Sequence, residues 1–354
     1  MFGNEYLLIP KSITMKKAIY LLIVLCLFVF SCKKEHSSQP DNKLYKVTFN
    51  VSGFTQGTTV FSAKGNSNRK IDALQIDALS DNVTNLVYAV FDASGNFVHN
   101  IYQNSSTATN FGTITDNLAA GTYTIVFVAG QDLLYGYGTY EDPTDPSAAL
   151  FSTLSSAQIF YKNYDGDDLG DFQDTFYKKL SLTVSTTSTS QAITLDRING
   201  ELELYIKDAL PANAASIEFS TVASLEYSIA TSSPLAPLSG YSLNAESNIP
   251  ADSAGVSNYN FSAIVLNTTQ SFTVNIYCYD VNGNVIAQRI VDNVSCQVNK
   301  KTILTGSLFG GPTGGSITGG FSISIDTAWN PVKVNVPFVG SIRNKKVNSA
   351  RLIH

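Results

Sequence analysis

The feature that most constrains this chain is alternation. Residues 45–54 read YKVTFNVSGF, apolar and polar in turn, and a side-chain period of two belongs to a strand half-buried in a sheet. The pattern recurs at residues 86–92 (LVYAVFD), 97–102, 118–129 and 176–184. It continues at 193–206, 217–222, 259–266, 272–280, 285–291, 302–309 and 321–325. Helical periodicity is confined to short pieces. Composition agrees: Tyr (18) and Phe (20) are frequent, Met (2) is scarce and only 14% of residues are charged. Aromatic and β-branched residues suit pleated, half-buried surfaces. The expected class is all-β.

Two segments echo each other. Residues 91–98 (FDASGNFV) and 279–286 (YDVNGNVI) share an aromatic, an Asp, a Gly, an Asn and two apolar positions. Gly in such a loop supplies the positive φ that a tight hairpin needs. Common turn chemistry produces an echo of this kind. So does a duplicated β-sandwich carrying the same hairpin in each copy, which is the reading adopted. A Ser/Thr connector at residues 185–191 (STTSTSQ) then divides the chain into domains at 44–187 and 188–329, followed by a basic tail at 330–354.

The amino terminus has its own order. Met15, Lys16 and Lys17 precede 13 apolar residues, 18–30 (AIYLLIVLCLFVF). A membrane span needs about 20, so this run suits the apolar core of a signal peptide, with Met15 as the true start and residues 1–31 removed. The run ends in Phe30-Ser31-Cys32 rather than in small residues. This resembles a lipobox of the Bacteroidetes form, in which Cys32 becomes the acylated first residue of the mature protein. Each buried CH₂ contributes about 0.8 kcal/mol, so several acyl chains give stable attachment. The polar residues 32–43 then form a lipidated tether.

Catalytic groups are scarce. The mature body carries His36, His99 and His354 far apart in sequence, which leaves no parts for a histidine triad or a three-histidine zinc site. The Gly-rich residues 310–320 lack the Lys-Ser/Thr of a phosphate loop. We expect no catalytic residue and no cofactor, and the net charge of −5 argues against nucleic acid as a partner. Asp165, Asp167, Asp168 and Asp171 are the one metal-like group, since hard cations such as Ca²⁺ take several carboxylate oxygens. Their order does not fit an EF-hand, and a solvated Asp/Gly loop is the simpler reading. Cys278 and Cys296 remain after Cys32 is acylated. They form either a disulfide or two buried thiols, and a hairpin at Asn282-Gly283 sets Cys278 opposite a residue near 287 rather than opposite Cys296.

Taken with the lipobox and the echo, LDRINGELELYIKDALP (residues 195–211) and VNKKTILTGSLF (298–309) resemble the fimbrillin superfamily of Bacteroidetes. Within it the likeness is to the FimB/Mfa2 type of lipid-anchored fimbrial subunit. The resemblance implies two tandem transthyretin-like β-sandwich domains after a lipoprotein signal peptide. It also implies a place on the cell outer membrane and a role as anchor, minor or tip subunit in fimbria assembly and adhesion. The implied partners are other fimbrial subunits, the membrane through the lipid, and host or bacterial surface ligands. In that family an extended strand of one subunit completes the sheet of the next; residues 45–53 and 321–325 are the candidates here. The basic tail departs from the family's ending. A different reading is a surface glycan-binding lipoprotein serving an outer-membrane nutrient importer.

Overall fold

The alternation at residues 45–54 is realised in β1 (Leu44–Phe54), where Tyr45, Val47, Phe49 and Val51 are buried and their polar neighbours face outward. The computed structural model describes residues 43–54, 79–131, 153–161, 171–238, 240–309, 317–318 and 320–326. By contacts, Leu44–His354 is one unit and Met1–Lys43 another. The signal peptide, Cys32 and the basic tail lie outside the described residues.

β1 runs between β4 (Thr113–Ala119), antiparallel to it, and β8 (Thr189–Arg197), parallel to it. A second layer is antiparallel throughout, in the order β3 (Phe97–Asn104), β2 (Asn85–Phe91), β5 (Gly121–Gly130), β7 (Thr175–Val184). The layers continue into one sheet where Phe176 and Tyr177 of β7 pair with Arg197 and Asp196 of β8. Side chains from both layers share one core. At its centre the Phe49 ring lies 5.5 Å from Tyr88 and 5.3 Å, edge-on, from Phe127, an arrangement aromatic quadrupoles favour.

The next stretch of chain repeats these pairings. β9 (Gly200–Ile206) lies between β14 (Tyr259–Val265), antiparallel, and β17 (Lys301–Gly306), parallel. The facing layer is β13 (Leu243–Asn248), β10 (Ser216–Thr221), β15 (Phe272–Tyr279), β16 (Val285–Val294), again antiparallel. A second core, with Leu204, Phe219 and Ile276 among its members, fills the space between them. Strands 1, 2, 3, 4, 5, 7 and 8 therefore correspond in chain order to strands 9, 10, 13, 14, 15, 16 and 17. β18 (Ile317–Thr318) adds a short parallel edge to β16.

This repeat corrects the reading of the echo. The two turns do match. Asp92 Oδ1 accepts from the Ser94 and Asn96 N–H groups at 2.8 and 2.9 Å, and Asp280 Oδ1 accepts from those of Asn282 and Asn284 at 2.9 and 2.8 Å. Gly95 and Gly283 have φ of 81° and 79°. Yet residues 92–96 join β2 to β3, whose counterparts are β10 and β13, whereas residues 280–284 join β15 to β16. The same turn was thus written at two non-equivalent corners, as local turn chemistry predicts.

A second correction concerns residues 189–197, which the connector's composition sets at the opening of the second domain. They pair with β1, and Ile193 and Leu195 belong to the first core. A third small sheet, β6 (Gln158–Phe160), β11 (Glu226–Ser228) and β12 (Ser233–Pro234), brings segments from both halves together. Ile159, Tyr227 and Ile229 cover Val87, Ala89 and Phe91 on the outer face of β2. β2 is consequently buried on both faces, which is why its sequence is apolar almost without interruption.

Candidate functional site

Strand edges are the first feature of note. In the second half β17 has an outer neighbour: β19 (Phe321–Asp326) runs antiparallel along it from Gly306↔Phe321 to Lys301↔Asp326. Gly306 has no side chain, and the Phe321 ring lies where a Cβ would stand, so that ring packs against the second core. Ile323 and Ile325 share the face of Phe321 and lie opposite Leu304 and Thr302, yet stay 41% and 40% exposed. β8 is the counterpart of β17. Among the described residues, no strand runs along the outer edge of β8 from Thr189 to Leu195; β7 meets it only at Asp196 and Arg197. Of the two candidate exchange strands, β1 is paired on both edges, while β19 is an edge strand with one neighbour.

The two motifs that carried the resemblance meet at the joint between the halves. Arg197, with its side chain 2% exposed, donates from Nε to Asp174 Oδ1 at 2.7 Å and from Nη2 to Asp174 Oδ2 at 3.0 Å. Its Nη1 donates to Asn299 Oδ1 at 2.7 Å, and its guanidinium lies 4.7 Å over the Phe176 ring. Asn199 Nδ2 donates to Asp174 Oδ1 at 3.2 Å, and the Asn299 N–H donates to the Asn199 carbonyl at 2.9 Å. Four side chains spread over 125 positions so tie β7 and β8 to the turn before β17. No local signal in the sequence marks Asp174 as Arg197's partner.

His99, partly exposed on β3, has a partner in the facing layer. Its Nε2 lies 2.8 Å from Asp116 Oδ2, and the buried Tyr88 hydroxyl donates to the same oxygen at 3.0 Å. His99 stands on β3 and Asp116 on β4, the edge strands of opposite layers, so the bond latches the open side of the sandwich. Burial pushes the Asp116 carboxyl up, but the His99 bond and charge outweigh it and hold it below its ordinary value. A folded-state value below the unfolded one stabilises above the unfolded pKa, about 3.9, and the benefit is lost as pH falls through the folded value. Asp116→Asn is therefore expected to cost about 1–2 kcal/mol at neutral pH, with the gap from the parent closing in unfolding curves as pH falls below the ordinary carboxylate range.

Of the acidic residues, Asp165, Asp167 and Asp168 lie outside the described residues. Asp171 lines a cavity of 830 Å³ with Glu218, Glu246 and Asp280, and burial raises its carboxyl to about 6. Among the described residues no three His, Cys, Asp or Glu side chains group as metal ligands. Cys278 and Cys296 are free, buried thiols, and Cys278 pairs across the hairpin with Ala287, as its turn requires. Burial pushes both up to about 12. Buried protonated thiols are inert: neither is expected to react with iodoacetamide in the native protein, and both should react in denaturant, as intact mass would report.

The described surface thus presents edges, a joint and a latch within an all-β frame. The family model for fimbrillin-A associated anchor proteins Mfa1 and Mfa2 matches residues 50–236, just over half of the chain, and the chain belongs to that family. It is accordingly a fimbrial subunit or adhesin of the cell envelope. Among solved structures, the fimbrial anchor protein Mfa2 from Porphyromonas gingivalis is 12% identical, covering 74% of this chain and 90% of its own, with a TM-score of 0.44. The tip fimbrial protein Mfa3 from Porphyromonas gingivalis, with C-terminal truncation, is 11% identical, with coverages of 80% and 99% and a TM-score of 0.41. No curated protein matches the sequence. Among the described residues no helix is long and apolar enough to cross a membrane.

Proposed function

We propose that this chain is a lipid-anchored minor subunit that holds a fimbria to the cell outer membrane, joined to its neighbour by strand exchange. Two β-sandwich domains carry the load and the acylated Cys32 fixes it to the bilayer. The observation that carries the reading is the edge of β8. The internal repeat assigns a strand to that edge, β19 fills the equivalent place in the second half, and no described strand fills it in the first. An unpaired edge is a template for another chain, and main-chain bonds along it supply affinity while alternate side chains supply choice. Family membership supports a fimbrial partner for that edge. Cys32 supports the anchor through its place behind an apolar run too short to span.

The test is Cys32→Ala in the native host. The protein is expected to leave the membrane fraction, and fibres attached through it should appear in the medium. Fibres still bound to cells that carry only the variant would refute the anchoring role. Mass spectrometry of the parent protein reports the acylation separately.

A further inference from the structure

A second cavity, of 510 Å³, opens beside the end of β10 and the start of β15, and its lining includes no residue of β8 or β19. Its size falls within the usual range for small-molecule sites, about 300–1,000 Å³. Its lining contains no charged side chain at all, in a chain whose larger cavity holds four carboxylates. Six lining residues, Ser220, Ser242, Thr269, Gln270, Ser271 and Asn275, present hydroxyl or amide groups. Each of these groups both donates and accepts hydrogen bonds. None of the six makes a side-chain hydrogen bond within the described protein. The apolar part of the lining includes Pro234, Leu235, Pro237 and Phe272.

The walls are fastened by a separate set of polar residues. Asn267, buried, accepts from the Ser224 N–H and donates from Nδ2 to the Val222 carbonyl at 2.9 Å. Ser224, also buried, donates from its hydroxyl to the Leu235 carbonyl at 2.6 Å, and Thr221 donates to the Thr273 carbonyl at 2.8 Å. Three separate stretches, 221–224, 234–237 and 267–273, are thereby held in one shape by side chains whose bonding capacity faces inward. One set of polar groups fastens the walls; of the other six lining residues, Ser220 and Asn275 are half-buried and Ser242, Thr269, Gln270 and Ser271 are exposed. Pre-organisation of that kind lowers the entropic cost of binding.

We infer that this cavity binds a neutral saccharide of one or two sugar units. A sugar ring offers hydroxyls that both donate and accept, matching the six free groups, and an apolar C–H face, matching the proline, leucine and phenylalanine surface. The uncharged lining offers no partner for the carboxylate or sulfate of an acidic sugar, for a phosphate or for a cation, and burying an unpaired charge there is costly. The inference stands apart from the anchoring role, and the result for one leaves the other intact.

The test applies the purified protein to an array of neutral and acidic glycans, followed by saturation-transfer NMR with the best neutral disaccharide at about 10 mM. A neutral glycan is expected to bind with millimolar to high-micromolar affinity. The double variant Gln270→Ala/Asn275→Ala, which removes no side-chain hydrogen bond of the described protein, should weaken it about tenfold with no change in the thermal unfolding midpoint. A charged substitution in the lining, Ser220→Asp, should do the same. Three outcomes would overturn the assignment: no neutral glycan bound in either assay, equal binding by the parent and the double variant, or a preference for sialylated or uronic-acid glycans over neutral ones.

Discussion

Replacing Asp174 with alanine is expected to destabilise the protein by about 3–5 kcal/mol. The reason lies with its partner. Arg197 is almost wholly buried, and its guanidinium is held by a two-pronged bond to Asp174 at 2.7 and 3.0 Å. Without the carboxylate, a permanent cation stays in the joint without its ion-pair partner Asp174, with Asn299 and the Phe176 ring among its remaining contacts. Asn199 loses its acceptor as well. Asp174 retains 27% of its side-chain exposure, and water entering from that side shifts the cost toward the lower end of the range. The double variant Asp174→Leu/Arg197→Met removes both charges and should recover most of the loss, because the penalty comes from the stranded charge more than from the missing bond. Denaturant titration checks both. A single variant within about 1 kcal/mol of the parent would mean that Arg197 finds water or another acceptor once Asp174 is gone.

Period-two runs in the sequence identified the strands because a sandwich strand faces core on one side and solvent on the other. β1 shows this cleanly, and the Asp-x-x-Gly-Asn turns were legible because their bonding closes within five residues. What remained hidden was whatever depends on distant pairing. The Ser/Thr connector looked like a boundary, yet a tight return between β7 and β8 needs the same small polar residues, and only the parallel partnership with β1 decides where β8 belongs. The echo was a true likeness of turns and a misleading guide to topology, since turn chemistry is local and the repeat lies in strand order. Arg197 and Asn299 stood inside the two motifs that suggested the family, but Asp174 did not. The His99–Asp116 latch joins strands of opposite layers, a neighbourhood no spacing along the chain encodes. Cys278 went the other way: the turn at Asn282-Gly283 places its partner near residue 287, and the structure has Ala287 there.

Of two neighbouring proline substitutions in β8, Ser190→Pro and Gln191→Pro, one is expected to unsettle the fold and the other to spare the fold and abolish assembly. Adjacent residues of a strand turn their N–H groups to opposite sides. One of this pair therefore bonds β1, whose Thr48 and Phe49 lie opposite, and the other faces the open edge. Proline removes the N–H and is tolerated in a sheet only where that group points away from a partner. The inward substitution should lower stability by about 1–3 kcal/mol through the unpaired carbonyl left on β1. The outward one should unfold within about 0.5 kcal/mol of the parent and still reach the membrane through Cys32. Cells carrying it should then shed their fibres, because an incoming strand meets a missing donor and the bulk of the pyrrolidine ring. Retained fibres in both variants, with the stabilities split as described, would show that the edge of β8 stays solvent-exposed in the assembled state. The load would then have to pass through another edge, with β19 the next strand to examine.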